Sequence, residues 1–241
     1  MILLIDVGNS RIKWRLISHG GKVRSAGICT HDAVEPLVVC LENPAIRRVL
    51  GSNVARHERA EALDALAARQ GVTLEWITSS AQCCGVRNLY EHPAQLGTDR
   101  WAALIGARAL HPHTALVVMA GTAMTVDVLY ANGQFAGGLI LPGVGLMRQA
   151  LDAGTARLPP LAGHYRDLPR TTTDAIVSGC LDAQAGAVER MFRRVKDAHA
   201  RCLLSGGGAG EIAPLLDIPL QRVDNLVLDG LYRIARETWT T

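Results

Sequence analysis

An internal repeat most strongly constrains how this chain can fold. Residues 116–123, Leu-Val-Val-Met-Ala-Gly-Thr-Ala, align without a gap with residues 3–10, Leu-Leu-Ile-Asp-Val-Gly-Asn-Ser. The same offset places Gly133, the second residue of an Asn-Gly pair, on Gly20. Asn-Gly between apolar runs is a strong signal for a β-hairpin. Both halves are therefore predicted to begin with a strand, a small-residue loop, a second strand, a hairpin turn and a third strand.

Helical and strand patterns alternate after these three strands. Apolar positions three and four residues apart predict amphipathic helices, and short apolar runs predict buried strands. Further helices are predicted at 32–41, 56–69, 99–110, 146–153, 171–198, 211–216 and 226–238, and further strands at 45–51, 74–78, 201–204 and 220–223. Segments 79–97 and 155–170 show little periodicity. The alternation predicts an α/β fold, and a His-Pro-His triplet suggests domains at 1–112 and 113–241.

Composition excludes several classes of protein. The chain has 241 residues, 49% of them hydrophobic, which is enough for a substantial core. Its net charge of +3 includes no long basic run, so nucleic-acid binding is not indicated, although a mildly basic surface suits an anionic ligand. No apolar run approaches the length of a membrane span. Six cysteines without a C-x-x-C pair are typical of free thiols, so we expect a cytoplasmic location.

The loop after the first strand suits a phosphate group. Asp6 ends the apolar run, and its carboxylate suits a hydrated Mg²⁺ ion. Gly8 permits a tight turn and close approach of a ligand. Asn9 and Ser10 add hydrogen-bond donors, and Lys13 adds a positive charge. The same residues also fit a plain hairpin whose Asn and Ser only satisfy a turn.

Two further small-residue loops follow apolar strands in the second half, at Gly121-Thr122-Ala123 and at Gly206-Gly207-Gly208. Backbone N–H groups in such loops can cradle an anion. None of the loops has the pattern of a P-loop or of a Rossmann dinucleotide site. Three such loops on a duplicated frame suggest ATP held between two related domains.

A charged pair at a predicted helix start could carry chemistry. Phosphoryl transfer to an alcohol needs a carboxylate to accept the hydroxyl proton, and a cation can hold an acidic substrate. Asp99 and Arg100 are adjacent, after Gly97-Thr98. An acid at a helix start is also stabilised by the helix dipole without any function. Tyr90 also allows two interpretations: a packed aromatic side chain or a contact to the ligand.

In order along the chain, these motifs resemble those of the type III pantothenate kinases. The matching set is Asp6-Val7-Gly8-Asn9-Ser10 with Lys13, Tyr90, Gly97-Thr98-Asp99-Arg100, Gly121-Thr122-Ala123 with Thr125 and Asp127, and Gly137-Gly138-Leu139-Ile140-Leu141-Pro142-Gly143. That family belongs to the acetate and sugar kinase, Hsp70 and actin superfamily. The resemblance implies an α/β protein of two duplicated ribonuclease-H-like domains, the actin-like ATPase fold, with the active-site cleft between them.

The resemblance also implies a reaction: ATP-dependent phosphorylation of pantothenate to 4'-phosphopantothenate, the first step of coenzyme A biosynthesis. Asp99 matches the family's general base. The implied pantothenate contacts are Tyr90, Gly97, Thr98, Asp99, Arg100 and Thr172, and the neighbouring Thr171 and Thr173 leave the register of the last contact open. The implied ATP-binding residues are Asp6, Val7, Gly8, Asn9, Ser10, Arg11, Ile12, Lys13, Gly121, Thr122, Gly206, Gly207 and Gly208. Asp6 is expected to hold Mg²⁺ through water, and a homodimer with the substrate site near its interface is implied.

One position departs from the family pattern. The family usually has an aspartate two residues before its second Gly-Thr, where it helps hold a monovalent cation, K⁺ or NH₄⁺. Here that position is Met119. A thioether is a poor ligand for K⁺, which prefers oxygen. Either the chain works without this ion, or another oxygen ligand replaces the lost one; the sequence predicts weak or absent K⁺ dependence.

Two other functions remain open from the sequence. A sugar kinase of the same superfamily would share the ATP loops, although Tyr90 and Arg100 favour an acidic substrate. A non-enzymatic transcription accessory factor of the same fold is the second alternative, and the loss of a carboxylate at Met119 could be taken as decay. The presence of Asp6, Asp99 and Thr122 argues against it.

Overall fold

The structure is a computed structural model that describes residues 1–154 and 163–238. Contacts divide the chain into two units, one formed by Met1–Leu110 with the C-terminal segment from Leu226, the other by His111–Asn225. The strands are β1 (Ile2–Val7), β2 (Ile12–Ile17), β3 (Val23–Cys29), β4 (Arg48–Asn53), β5 (Leu74–Trp76), β6 (Gln82–Cys83), β7 (Val86–Asn88), β8 (Ala115–Ala120), β9 (Ala123–Leu129), β10 (Gln134–Pro142), β11 (Arg201–Ser205) and β12 (Leu220–Arg222). The helices are α1 (Glu35–Leu41), α2 (His57–Arg69), α3 (Thr98–Leu110), α4 (Val144–Gly154), α5 (Thr172–Phe192), α6 (Ala209–Ile212) and α7 (Leu226–Glu237), with short 3₁₀ helices at Pro93–Gln95 and Ala213–Leu215.

The first unit is built on a mixed sheet in the order β3-β2-β1-β4-β5. β1 pairs antiparallel with β2 and parallel with β4. Because β1 is central, all six of its side chains are buried, which explains why the sequence shows a continuous apolar run rather than an alternation. Apolar side chains of β1, β2, α1 and α2 form the core on one face of this sheet.

The second unit repeats this topology. Its strands follow the order β10-β9-β8-β11-β12, with β8 antiparallel to β9 and parallel to β11. β8 and β11 thus take the places of β1 and β4. The predicted duplication is confirmed, as is the α/β class of two ribonuclease-H-like sheets.

The gap-free alignment of the two halves is wrong by one residue beyond the first loop. The last pair between β1 and β2, Val7 with Ile12, encloses residues 8–11, whereas the last pair between β8 and β9, Ala120 with Met124, encloses only residues 121–123. The shorter loop shifts the next hairpin, so that Gly133 corresponds to Gly21 and not to Gly20. Both glycines have positive φ, 85° and 82°, and close their turns with a main-chain hydrogen bond.

Helix α7 packs against α3, so the predicted domain 113–241 needs a correction at its end. Gly106 of α3 and Gly230 of α7 lie where the two helix backbones touch, and a Cβ on Gly230 would collide with the carbonyl of Ala102. This close packing places α7 with the first unit rather than with the second half of the chain.

Most other predicted elements lie close to their expected positions. Helix α5 was expected to reach residue 198 but ends at Phe192, where a tighter turn begins with a hydrogen bond from Val195 N to the Phe192 carbonyl. The strands β6 and β7 lie in 79–97, for which no strand is predicted. Part of segment 155–170 lies outside the described residues; its remainder, 163–170, has no helix or strand. No helix among the described residues is long and apolar enough to cross a membrane.

Candidate active site

Asp6 is a buried carboxylate at the carboxyl end of β1. It is 7% exposed and is flanked in the sheet by Lys13 of β2 and Ser52 of β4. Burial raises its pKa to about 7; the charge of Lys13 opposes this rise, and the charge of Asp99 adds to it. The site therefore disfavours the ionised form of Asp6 unless a cation compensates its charge.

The turn after Asp6 presents backbone and small polar side chains to solvent. Gly8 N donates a hydrogen bond to the Arg11 carbonyl (3.1 Å), which closes the turn, and Asn9 and Ser10 are exposed. His31 Nε2 donates to the Gly8 carbonyl (2.9 Å) and so fixes the turn from the side of β3. The predicted phosphate loop is thus a short, anchored turn.

The first residues of α3 are held by the end of β4. Thr98 Oγ1 lies 2.9 Å from Ser52 Oγ and donates to the Asn53 carbonyl (3.1 Å). Ser52 is fully buried and neighbours Asp6 in the sheet. Through Thr98, the strand that flanks Asp6 also positions the helix start that carries Asp99.

Asp99 is the second carboxylate of this region. Burial raises its pKa, opposed by hydrogen bonds from main-chain N–H groups, including that of Arg100, and by the Arg100 charge. Arg100 N donates to Asp99 Oδ1 at 2.7 Å. A Cβ on Gly97 would lie 2.7 Å from the same oxygen, so glycine there leaves room for the carboxylate. A carboxylate with a raised pKa is a stronger proton acceptor than an ordinary surface aspartate.

The buried Arg100 and the half-buried Tyr90 form a pair beside Asp99. Arg100 is 5% exposed, and its Nη1 donates to Tyr90 Oη at 2.9 Å. Tyr90 is held in turn by Asn88, whose Oδ1 accepts from Tyr90 N (3.0 Å) and whose Nδ2 donates to the Pro93 carbonyl (3.1 Å). A buried guanidinium next to a base suits an acidic substrate, because its planar fork matches a carboxylate.

In the second unit, the loop at Gly121 occupies the place of the Gly8 turn. Gly121 N donates to the Ala123 carbonyl (3.1 Å), and Gly143 N donates to the Thr122 carbonyl (2.8 Å). A Cβ on Gly143 would collide with this loop, so the Pro-Gly that ends β10 is part of its construction. Gly121, Thr122 and Ala123 are exposed.

The triple-glycine loop lies next to the strand that leads into the Gly121 loop. Gly208 N donates to the Ala120 carbonyl (3.0 Å), and Gly206, at φ 103°, has no room for a Cβ against the same residue. Nothing lies within 4 Å of a Cβ position on Gly207, which leaves open space above its backbone. The parallel pairing of β8 with β11 brings the two predicted loops together.

Met119 occupies the position in the second sheet that Asp6 occupies in the first. It pairs with Thr125 and Ser205, where Asp6 pairs with Lys13 and Ser52. Thr125 is 7% exposed, and its Oγ1 has no hydrogen-bond partner in the described part of the chain. At this position, the second unit therefore has a methionine and a threonine where the first has a carboxylate and a lysine.

The three threonines at the start of α5 differ in their contacts. Thr171 caps the helix by accepting a hydrogen bond from Asp174 N (3.2 Å), and its Oγ1 lies 3.2 Å from Thr173 Oγ1. Thr172 is exposed. Because the neighbouring hydroxyls serve the helix cap, Thr172 remains our choice for the predicted substrate contact.

The carboxylates fit Mg²⁺ held mostly by water and phosphate. Within 1–154 and 163–238, no group of three or more His, Cys, Asp or Glu side chains could hold a metal ion. Mg²⁺ usually keeps several waters and binds one or two carboxylates together with substrate phosphates. Burial raises the pKa of Asp6, so a bound cation would stabilise its ionised form.

Comparison with known proteins identifies the family. The sequence profile of the type III pantothenate kinases matches residues 2–194. The chain belongs to this family. It is 56% identical to the type III pantothenate kinase of Aromatoleum aromaticum, with 98% of each chain covered, and 53% identical to that of Azoarcus sp., with 98% of this chain and 90% of the relative covered.

Solved structures show the same fold at lower identity. A conserved Baf-family transcriptional activator protein from Campylobacter jejuni is 22% identical, with a TM-score of 0.62 and 98% of both chains covered. The activator of 2-hydroxyisocaproyl-CoA dehydratase from Clostridium difficile, solved with bound ADPNP, is 12% identical, with a TM-score of 0.56 and 97% and 92% covered. This type III pantothenate kinase family member has the actin-like ATPase fold.

Three residues that support the site were missed in the sequence. Ser52, His31 and Asn88 hold Thr98, the Gly8 turn and the Tyr90 loop respectively. Each is a single polar residue without a motif around it. Only Ser52 carries a sequence signal, because it directly follows a predicted strand, as Ser205 directly follows the equivalent one.

Proposed function

We propose that this chain transfers the γ-phosphoryl group of ATP to the primary hydroxyl of pantothenate, the first step of coenzyme A biosynthesis. Family membership supports the reaction class. The observation that carries the proposal is the half-buried Asp99, with its raised pKa, beside an arginine that Tyr90 holds in place.

In this proposal, Asp99 accepts the proton of the attacking hydroxyl, and Arg100 binds the substrate carboxylate. Most of the acceleration in phosphoryl transfer comes from positioning and electrostatics, with little covalent chemistry for the protein. The hydrogen bonds from Ser52 to Thr98 and from Arg100 to Tyr90 supply the positioning. Tyr90, Gly97, Thr98 and Thr172 are assigned as further pantothenate contacts.

We assign the ATP phosphates to Asp6–Lys13 and to Gly121-Thr122, and the adenosine to Gly206–Gly208. Main-chain N–H groups in small-residue loops are suited to anions. Asp6 would hold Mg²⁺ through water, and when bound this ion would neutralise charge on the phosphate oxygens. With Met119 in place of a carboxylate, we propose that the chain works without a bound K⁺ or NH₄⁺.

We also propose a cytoplasmic homodimer with the substrate site near its interface. The described cysteines are all free, as is typical of reducing compartments. Exposed large apolar side chains at Ile140, Leu146 and Leu151 of β10 and α4 support an interface in the second unit. Sedimentation equilibrium measures the oligomeric state directly.

One assay tests the proposed function. The chain is incubated with Mg²⁺–ATP and either pantothenate, a panel of sugars or no acceptor, and ADP release is followed. We expect ADP only with pantothenate, together with phosphopantothenate by mass spectrometry. ADP release with a sugar would instead indicate a sugar kinase, and no release with any acceptor would indicate a non-catalytic accessory protein.

A further inference from the structure

The turn of the β6–β7 hairpin has an unusual residue at its centre. Cys83 pairs with Val86, so Cys84 and Gly85 form a two-residue turn, and their φ angles are 50° and 80°. Positive φ at both positions defines a type I′ turn, in which Asn-Gly is preferred. Among the described residues, Cys84 is the only non-glycine with positive φ. A cysteine held in this conformation is an outlier that invites a functional explanation.

This turn brings two thiols together at the surface. The sulfur atoms of Cys83 and Cys84 lie 3.5 Å apart, within hydrogen-bonding distance, and both residues are half-buried. The other cysteines, Cys29, Cys40, Cys180 and Cys202, are buried. Cys83 and Cys84 are therefore more accessible to reagents in solution than the other four cysteines.

Glu237 of α7 completes the cluster. Burial raises the pKa of Cys84, and the hydrogen bonds to Cys83 and to the Glu237 carboxylate raise it further. Cys84 thus keeps its proton at neutral pH, with a carboxylate in hydrogen-bond contact to receive it.

We propose that Cys83 and Cys84 form a redox-active dithiol that closes into a reversible disulfide by exchange with a small-molecule disulfide such as oxidised glutathione. The Cys83 sulfur attacks the glutathione disulfide and forms a mixed disulfide, and the proton of the Cys83 thiol goes to the glutathione that leaves as a thiol. Cys84 then attacks the Cys83 sulfur, its proton passes to Glu237, and the second glutathione leaves. The two cysteines lose two electrons in total, and one glutathione disulfide is reduced to two thiols.

The bond between neighbouring residues is expected to be labile. Adjacent Cα atoms lie about 3.8 Å apart, whereas disulfides usually span about 4.4–6.8 Å between Cα atoms. The ring is therefore strained, and strained, exposed disulfides are the easily reduced ones. A dithiol of this kind responds to an oxidising challenge and reopens afterwards.

The hairpin leads directly into the loop that carries Tyr90, because β7 ends at Asn88, which holds Tyr90 N and the Pro93 carbonyl. Closing the disulfide changes the turn at the other end of β7. We expect the KM for pantothenate to rise on oxidation, with the KM for ATP unchanged; this consequence rests on the proposed function.

Peptide mass spectrometry tests the dithiol independently of any activity. Residues 70–87 form one tryptic peptide that holds Cys83 and Cys84 and no other cysteine. The folded chain is equilibrated with oxidised glutathione, alkylated and digested. We expect this peptide to be unalkylated, free of glutathione and lighter by two hydrogen atoms, and dithiothreitol to restore double alkylation. A peptide that is doubly alkylated, or that retains glutathione, overturns the proposal.

Cys84→Asn is the matched control variant. Asparagine tolerates positive φ better than cysteine, so we expect an unchanged or higher Tm. In this variant Cys83 should retain glutathione, because no second thiol displaces it; an unmodified Cys83 would overturn the attack step. A wild-type chain without kinase activity would contradict the proposed function, while the peptide result would still decide the dithiol.

Discussion

Two carboxylates, Asp6 and Asp99, are held where their charge is costly. Asp6 is buried and Asp99 is half-buried, burial raises the pKa of both, and the charge of Asp99 adds to the rise in the pKa of Asp6. Structures retain such groups at sites that bind a cation or move a proton. Their neighbours differ: Asp6 lies beside Lys13 and Asp99 beside Arg100. We therefore expect Asp6 to act on Mg²⁺–ATP and Asp99 on the substrate hydroxyl.

Asp99→Asn should nearly abolish turnover while leaving the fold intact. The amide keeps the size of the side chain but cannot accept the hydroxyl proton, so we expect kcat to fall by about 10²–10⁴-fold. Removal of the charge from this half-buried position should leave the Tm unchanged or higher. Steady-state kinetics and thermal unfolding measure both, and near-normal kcat would remove Asp99 from the role of base.

Asp6→Asn should impair the use of ATP more than that of pantothenate. Because the pKa of Asp6 is about 7, the carboxylate becomes protonated as the pH falls through neutrality and attracts Mg²⁺–ATP less. We expect the wild-type KM for ATP to rise between about pH 8 and about pH 6. The variant should have a high KM for ATP over this whole pH range. The pH dependence of its KM should reflect only the titration of ATP itself. Parallel profiles for the two proteins would contradict this assignment.

At the scale of elements, the helix pair α3–α7 supports the site from outside the sheet. Asp99 and Arg100 lie in the first turn of α3, and Gly106 and Gly230 let the two backbones come close further along. A substitution at this contact should therefore shift α3 as a whole, rather than one side chain of the site.

Gly230→Ala should destabilise the protein. The new methyl group would overlap the Ala102 carbonyl, and overpacking of this kind costs about 1–3 kcal/mol. The Tm should fall by roughly 2–4 °C for each kcal/mol. Gly179→Ala in α5 is the control, because nothing lies within 4 Å of its added Cβ; it should stabilise by about 0.5–1 kcal/mol. Equal Tm values for the two variants would exclude a packing role for Gly230.

At the scale of the whole molecule, the two units share a topology but not the same chemistry. The next-to-last residue of the central strand is Asp6, beside Lys13, in the first unit and Met119, beside Thr125, in the second. At this one strand position, the duplication has therefore left a carboxylate in the first unit and a thioether in the second.

This asymmetry predicts kinase activity that does not depend on K⁺. Because a thioether is a poor K⁺ ligand, the rate in a coupled ADP-release assay should be the same in K⁺ and in choline salts of equal ionic strength. Met119→Asp, which restores an oxygen ligand, should gain a response to K⁺. A strong K⁺ requirement of the wild-type chain would refute the prediction.

The α/β class, the duplication and the order of the motifs could be predicted without a structure, because they follow from local apolar patterns and from an internal repeat. Asp6 and Asp99 were found in the same way, since each ends or begins an element recognisable from its neighbours. The division after residue 112 stays a prediction except for α7, whose place depends on contacts with α3 far away in sequence.

The side chains that support the site became known only from the folded chain. Ser52, His31 and Asn88 act through single hydrogen bonds between segments distant in sequence, and no local pattern encodes such bonds. The one-residue shortening of the loop at Gly121 likewise became visible only in the strand register. The pKa values of Asp6 and Asp99 depend on burial, which is a property of the packed chain and not of its order of residues.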